Sequence, residues 1–226
     1  MKMKTKTKVG LIVSISMVML GAGMIAAAMS SVGWKITGFF TDNRVKRVVG
    51  VDEPYKSVVV NTATDLIELD YSVDNTETVV ELYDNEKYYY DVYVSDDTLY
   101  IYLKDENLPV SDFVNESVMG RSVVVHLTGG EYDIVNVKTG IGAIDIKGSM
   151  YIKQLTAKTG IGDINVADNV MLGKVKAETG IGGISAPKAD GLNELKTGIG
   201  NIHTPAYKDR DKNVNLDTGI GKIYGK

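Results

Sequence analysis

Thr139-Gly-Ile-Gly-Ala-Ile144, Thr159-Gly-Ile-Gly-Asp-Ile164, Thr179-Gly-Ile-Gly-Gly-Ile184, Thr197-Gly-Ile-Gly-Asn-Ile202 and Thr218-Gly-Ile-Gly-Lys-Ile223 are five copies of one hexapeptide. Self-similarity at a period of about 20 residues marks a repeated supersecondary unit. Apolar residues precede each threonine by two and four places, as in Val135 and Val137, Leu155 and Ala157, Val175 and Ala177, and Val214 and Leu216. The shortened fourth unit keeps only Leu195. After the motif, Ile144 and Ile146, Ile164 and Val166, and Ile184 and Ala186 alternate in the same way. Period-two alternation predicts two short half-buried strands per unit.

Between the two arms the inward parity shifts by one residue. The glycine pairs Gly140/Gly142, Gly160/Gly162, Gly180/Gly182, Gly198/Gly200 and Gly219/Gly221 fall at that shift. Glycine suits a bulge or a sharp corner there. Two strands and two corners in about 20 residues fit one coil of a parallel β-solenoid. The threonines then form one ladder. Ile141, Ile161, Ile181, Ile199 and Ile220 form another, expected to be buried at about 1.5–3 kcal/mol each.

A degenerate copy lies upstream. Val58, Val60, Thr62, Ile67 and Leu69 align with Val135, Val137, Thr139, Ile144 and Ile146, without the Gly-Ile-Gly. Segments 78–83, 88–94 and 98–103 are rich in Val, Tyr, Ile and Leu. They are separated by Asp84-Asn85 and Ser95-Asp96-Asp97, and read as hairpins or irregular coils. Residues 105–121 around Pro109 read as a loop or insertion.

Upstream of these, Lys2, Lys4, Lys6 and Lys8 precede an uncharged run from Val9 to Trp34. A helix of that length, at about 1.5 Å per residue, can span a bilayer core of about 30 Å. Ala26-Ala27-Ala28 has the small-residue look of a cleavage site, but the run outlasts a usual signal-peptide core. The reading is a cytoplasmic N-terminus at 1–8, a transmembrane helix at 9–34 and a juxtamembrane linker at 35–54. Degenerate repeats and hairpins then fill 55–133, and regular repeats fill 134–226. The β-domain is expected outside the cell membrane, although Lys35, Arg44, Lys46 and Arg47 nearly balance the positive-inside count. Arg44, Lys46 and Arg47 fit anionic headgroups or a solvated linker equally well.

The chain has 226 residues, no cysteine, and two histidines, His126 and His203. That leaves no disulfides, Cys-ligated metal or thiol nucleophile, and makes multi-His sites hard to build. Residues 1–50 carry +7, residues 51–133 carry −15 and residues 134–226 carry +4. No region is basic enough to propose nucleic acid as a ligand.

The N-terminal apolar segment, degenerate strands, the strand-and-turn Val123-Val-Val-His-Leu127-Thr-Gly-Gly130-Glu-Tyr132 and the five repeats together resemble the putative-adhesin β-strand-repeat family of bacterial cell-envelope proteins, of unknown function. The resemblance covers about 55–226. Relatives more often carry Ser-Gly-Ser-Gly-Asp-Ile; here only Asp163 supplies the aspartate, against Ala143, Gly183, Asn201 and Lys222. The resemblance implies an all-β, right-handed parallel β-solenoid on the cell surface, acting in adhesion or envelope stress. It implies no catalytic residue.

The other chemistries are weaker. The Gly-x-Gly pairs lack the third glycine of a dinucleotide fingerprint and the Walker lysine. The period is not the nine residues of calcium-binding β-rolls. A glycosidase needs two carboxylates flanking its bond. Asp145 and Asp163 are offset by two positions, and Asn165 stacks nearest Asp145. No catalytic residue, metal site or cofactor is expected. Tyr89, Tyr93, Tyr100 and Tyr102 are the candidate binding surface, for glycans or peptides; cross-strand pairing is their ordinary role. Envelope proteins, cell-wall glycan and cationic peptides are the partners considered, besides the membrane and end-to-end self-association. The alternatives to a non-catalytic binding module are a self-assembling structural solenoid and a carbohydrate-active β-helix enzyme.

Overall fold

The computed structural model describes residues 45–84, 89–104, 121–205 and 213–225, all within the compact unit Asn43–Lys226. These residues are all β. The strands are β1 (Val45–Val51), β2 (Ser57–Asn61), β3 (Asp65–Tyr71), β4 (Thr78–Asp84), β5 (Tyr89–Ser95), β6 (Thr98–Lys104) and β7 (Arg121–Leu127). The repeats supply β8 (Glu131–Ile141), β9 (Ile144–Lys147), β10 (Tyr151–Ile161), β11 (Ile164–Val166), β12 (Met171–Ile181), β13 (Ile184–Ser185), β14 (Asn193–Ile199), β15 (Ile202–Thr204), β16 (Val214–Ile220) and β17 (Ile223–Gly225). The transmembrane expectation at 9–34, with 1–8, lies outside the described residues. Among the described residues no helix is long and apolar enough to cross a membrane.

From β8 onward the chain alternates between two sheets. One sheet runs β1-β4-β7-β3-β9-β11-β13-β15-β17, and the other runs β16-β14-β12-β10-β8-β2-β6-β5. Pairing between repeats is parallel and keeps register, so Thr139, Thr159, Thr179, Thr197 and Thr218 lie side by side. The upstream copy joins the same ladders. Val58 pairs with Val135, Val60 with Val137, Ile67 with Ile144 and Leu69 with Ile146. On its far side β2 pairs parallel with β6, and β3 with β7. The described residues thus stack in the layer order β6/β7, β2/β3, β8/β9 and onward, although β6/β7 follows β2/β3 in the chain.

The sheets are mixed because three strands beyond these layers are joined by antiparallel pairing. β5 pairs with β6, β4 with β7 and β1 with β4. The linker reading of 35–54 is therefore corrected at Val45–Val51. The alternating Val45-Lys-Arg-Val-Val-Gly-Val51 makes an edge strand, and its cations meet acids of the neighbouring strand β4. Lys46 pairs with Glu81 at 2.9 Å and Arg47 with Asp84 at 2.5 Å. Arg47 also donates to the carbonyl of Tyr90, which ties the edge of one sheet to the start of the other. The β5–β6 turn places Asp96 and Asp97 at φ of 48° and 56°, the left-handed pair of a two-residue hairpin turn.

One hydrophobic core lies between the sheets. Val58, Val60, Leu99, Ile101, Val135, Val137, Leu155 and Leu195 enter it from one side; Ile67, Leu69, Val123, Val125, Ile144, Ile164 and Ile202 enter from the other.

The corner reverses one expectation. Thr159, Thr179 and Thr197 are only 4–6% exposed, whereas Ile161, Ile181 and Ile199 are 47–48% exposed and Ile220 is 68% exposed. The central isoleucines are therefore not a buried ladder. At the first repeat the amides of Gly140 and Ile141 both donate to the Ala63 carbonyl at 2.9 Å, a bulge pattern that breaks the alternation. The side chain after the bulge turns outward, and the next inward residue is Ile144, Ile164, Ile184 or Ile202. The threonine stays inside because its hydroxyl has a fixed acceptor. Thr159 donates to Gly142 O at 2.9 Å, Thr179 to Gly162 O at 2.9 Å, Thr197 to Gly182 O at 2.8 Å and Thr218 to Gly200 O at 2.9 Å.

Gly221 departs from the equivalence that the repeat implies. Gly142, Gly162, Gly182 and Gly200 each accept the threonine hydroxyl of the following layer, whereas Gly221 belongs to the last layer among the described residues and is itself exposed. It keeps the corner backbone, with φ at 158°, and a Cβ there would overlap the Gly200 carbonyl oxygen. Among the described residues it closes on the layer before it.

Candidate binding surface

In register, side chains directly opposite one another on neighbouring strands share a face. On the outer face at the β5 end of its sheet, Tyr93 lies opposite Tyr100, which lies opposite Val59, which lies opposite Asn136. The next row runs Asp91, Tyr102, Asn61, Lys138. Beyond it Tyr89 faces Lys104. The four tyrosines named from the sequence thus fall on one surface. Their inward neighbour Tyr90 is 2% exposed and belongs to the core.

The tyrosines are packed against one another. Tyr93 and Tyr100 stack at 5.2 Å between ring centroids, and Tyr100 and Tyr102 at 5.8 Å. Tyr93 remains 48% exposed and Tyr89 43%. Burial first, then the neighbouring phenols of Tyr93 and Tyr100, holds the Tyr102 hydroxyl above its ordinary titration range. Lys104 sits 5.5 Å above the Tyr89 ring and 3.4 Å from the Asp91 carboxylate. Hydrogen bonding to Tyr89 and then to Asp91 raises the Lys104 ammonium. The result is a surface of phenol edges, two amides, the Lys104–Asp91 pair and the Lys138 ammonium. It suits a ligand with apolar patches and hydroxyls. Alternation along the chain is enough to name the tyrosines. The amides of Asn61 and Asn136 and the ammonium of Lys138 were missed, because they join the surface only through the parallel pairing of β2 with β6 and β8.

The same sheet continues into a charged ladder. Lys158 pairs with Glu178 at 2.7 Å, Lys176 with Glu178 at 3.2 Å and Glu194 at 3.1 Å, and Lys196 with Glu194 at 2.6 Å. Donation from Lys158 chiefly holds the Glu178 carboxyl below the usual range, and donation from Lys196 does the same for Glu194.

On the opposite sheet, Asp145 accepts from the Asn165 amide at 2.9 Å. Asp163 accepts from the backbone amide of Gly183 at 2.6 Å, and Asn201 does the same for Lys222 at 2.9 Å. The variable fifth position of the motif therefore caps the next layer's corner. Asp145 and Asp163 are not brought together as a carboxylate pair. Among the described residues no group of three or more His, Asp or Glu converges as metal ligands. The threonines and glycines named from the sequence form the corner and its hydrogen bonds. The second glycine is obligatory there. At Gly162 and Gly182, φ is 148° and 147°, and a Cβ would overlap the carbonyl oxygen of Gly142 and Gly162 respectively.

No protein-family model matches the chain, and no curated protein matches it. Solved structures do. A putative adhesin of Bacteroides fragilis is 15% identical, with a TM-score of 0.37, over 82% of this chain and 98% of that one. A putative cell adhesion protein of Clostridium sporogenes is 14% identical, with a TM-score of 0.37, over 80% of this chain and 97% of that one. A putative lipid binding protein of Parabacteroides distasonis is 14% identical, with a TM-score of 0.31, over 81% of this chain and 98% of that one.

Proposed function

We propose that the chain is a non-catalytic binding module of the bacterial cell envelope, anchored through 9–34 and displaying its β-domain outside the membrane. We read the layered part as a parallel β-solenoid. Its handedness is taken as right, because parallel strands joined through a crossover are right-handed in about 98% of cases. The observation that carries the binding reading is the stacked trio Tyr93, Tyr100 and Tyr102 on an outer sheet face. The trio, Tyr93 exposed and Tyr100 and Tyr102 half-buried, is not needed to hold a core that already closes beneath it at Leu99 and Ile101.

Two measurements test this. The full chain in detergent is sedimented with insoluble bacterial envelope. The wild type co-sediments and a Tyr93→Ala/Tyr100→Ala/Tyr102→Ala variant with an unchanged far-UV spectrum does not; equal sedimentation overturns the reading. For location, Val73→Cys adds one thiol to a chain that has none, at a site 84% exposed. A membrane-impermeant maleimide labels it on intact cells. Labelling only after lysis overturns the external placement.

A further inference from the structure

Lys138 stands at the border between the tyrosine surface and the charged ladder. Each of its neighbours along the ladder is neutralised: Lys158 by Glu178, Lys176 by Glu178 and Glu194, and Lys196 by Glu194. Lys138 is exposed and has no acidic partner among the described residues. It lies directly opposite Lys158 in the parallel pairing of β8 and β10. Like charges directly opposite each other on a sheet cost stability. On its other side lie Asn61 and then Tyr102, two strand spacings away, or about 9.6 Å. The acids of β5, β6, β2 and β8 are committed or distant. Lys104 engages Asp91, Lys153 engages Asp133, and Glu131 starts β8 at the end far from Lys138. Other acids that make 51–133 negative, such as Glu68, Asp70 and Glu81, sit on the other sheet, where Lys147, His126 and Lys46 face them.

We infer that this face binds an acidic polysaccharide, with a sugar ring held against Tyr102 and Tyr100, a hydroxyl on the Asn61 amide and a ring carboxylate on Lys138. The assignment rests on the binding-module reading above and names its ligand class. Three observations select that class. Stacked phenols present ring edges and hydroxyls, which match the C–H groups and hydroxyls of a sugar. An amide between aromatic and cation offers both a donor and an acceptor to hydroxyls. The unmatched ammonium asks for an anion, and a uronate carries its anion on the ring itself, within reach of two strand spacings. A phosphate-linked polyol offers a charge but no ring to lie against the phenol edges.

The probe is oligogalacturonate, compared with the same oligomer fully methyl-esterified, titrated calorimetrically into the full chain in detergent at low salt. The acid form binds about tenfold tighter, the contribution of one charge-assisted hydrogen bond. Lys138→Gln removes that difference, bringing the affinity for the acid form down to that for the ester, and melts at the same or a higher temperature because a like-charge contact is relieved. Tyr102→Ala weakens both oligomers. The inference is overturned if wild type shows no preference for the acid form. It is also overturned if Lys138→Gln keeps the preference, or if it melts lower and loses both ligands together. Wild type that co-sediments with envelope through its tyrosines but ignores oligogalacturonate removes this inference alone; failure of both experiments removes the binding module as well.

Discussion

A methyl group at Gly182 would meet the Gly162 carbonyl oxygen, at a φ of 147° that L residues rarely adopt. Gly182→Ala therefore destabilises the domain by about 3 kcal/mol or more, while Gly50→Ala, where nothing lies within 4 Å, stays within about 0.5 kcal/mol. Urea midpoints of the two variants check the contrast. The buried threonine makes a second test. Thr179→Val keeps the shape but strips Gly162 O of its donor, costing about 1–2 kcal/mol. Ile181→Thr, on the exposed ridge, changes stability by less than about 0.5 kcal/mol. Hydropathy ranks these residues the other way round. Glycine at the corner was readable from the sequence because the parity shift demands it. Which of Thr179 and Ile181 points inward was not, because a bulge and a hydroxyl-to-carbonyl bond decide it.

Strand against strand, the charged ladder links β10, β12 and β14. Glu178 and Glu194 have carboxyls lowered from 4.5, so they stabilise the fold above that value, and this contribution fades as pH falls through their lower folded values. The pairs are exposed, so the contribution is small and shrinks further in salt. Glu178→Gln/Glu194→Gln accordingly loses less melting temperature than wild type between about pH 6 and about pH 3.5. Added salt narrows the difference; an identical pH slope in both proteins counts against the ladder. The elements themselves were legible: 78–83, 88–94 and 98–103 match β4, β5 and β6 closely. Their partners were not. β6 joins a parallel ladder on one side and a hairpin on the other, a choice local pattern does not encode. The four tyrosines could be named as candidates from alternation, but their rows with Asn61 and Lys138 depend on those distant pairings.

Across the molecule, chain order and stacking order differ, since β2/β3 lies between β6/β7 and β8/β9. Within the repeats a strand finds its partner one unit away, as Thr139 finds Thr159. Joining the upstream copy to the first repeat instead closes the whole stretch from Ser57 to Ile134. That loop is roughly four times as long, so its closure costs about 1.2 kcal/mol more in chain entropy, roughly an eightfold handicap in rate. Folding is then a race in which the repeats zip early and the upstream layers arrive late. Stopped-flow refolding of the full chain reads this directly. Val60→Ala, at the long closure, mainly slows refolding; a variant that refolds at the wild-type rate and only unfolds faster places that closure after the barrier and refutes the order. A slow refolding limb set by Val60 makes the out-of-order layer the gate through which every newly made chain must pass, so the half-built molecule leaves open the edge of β8 that β2 covers in the finished fold.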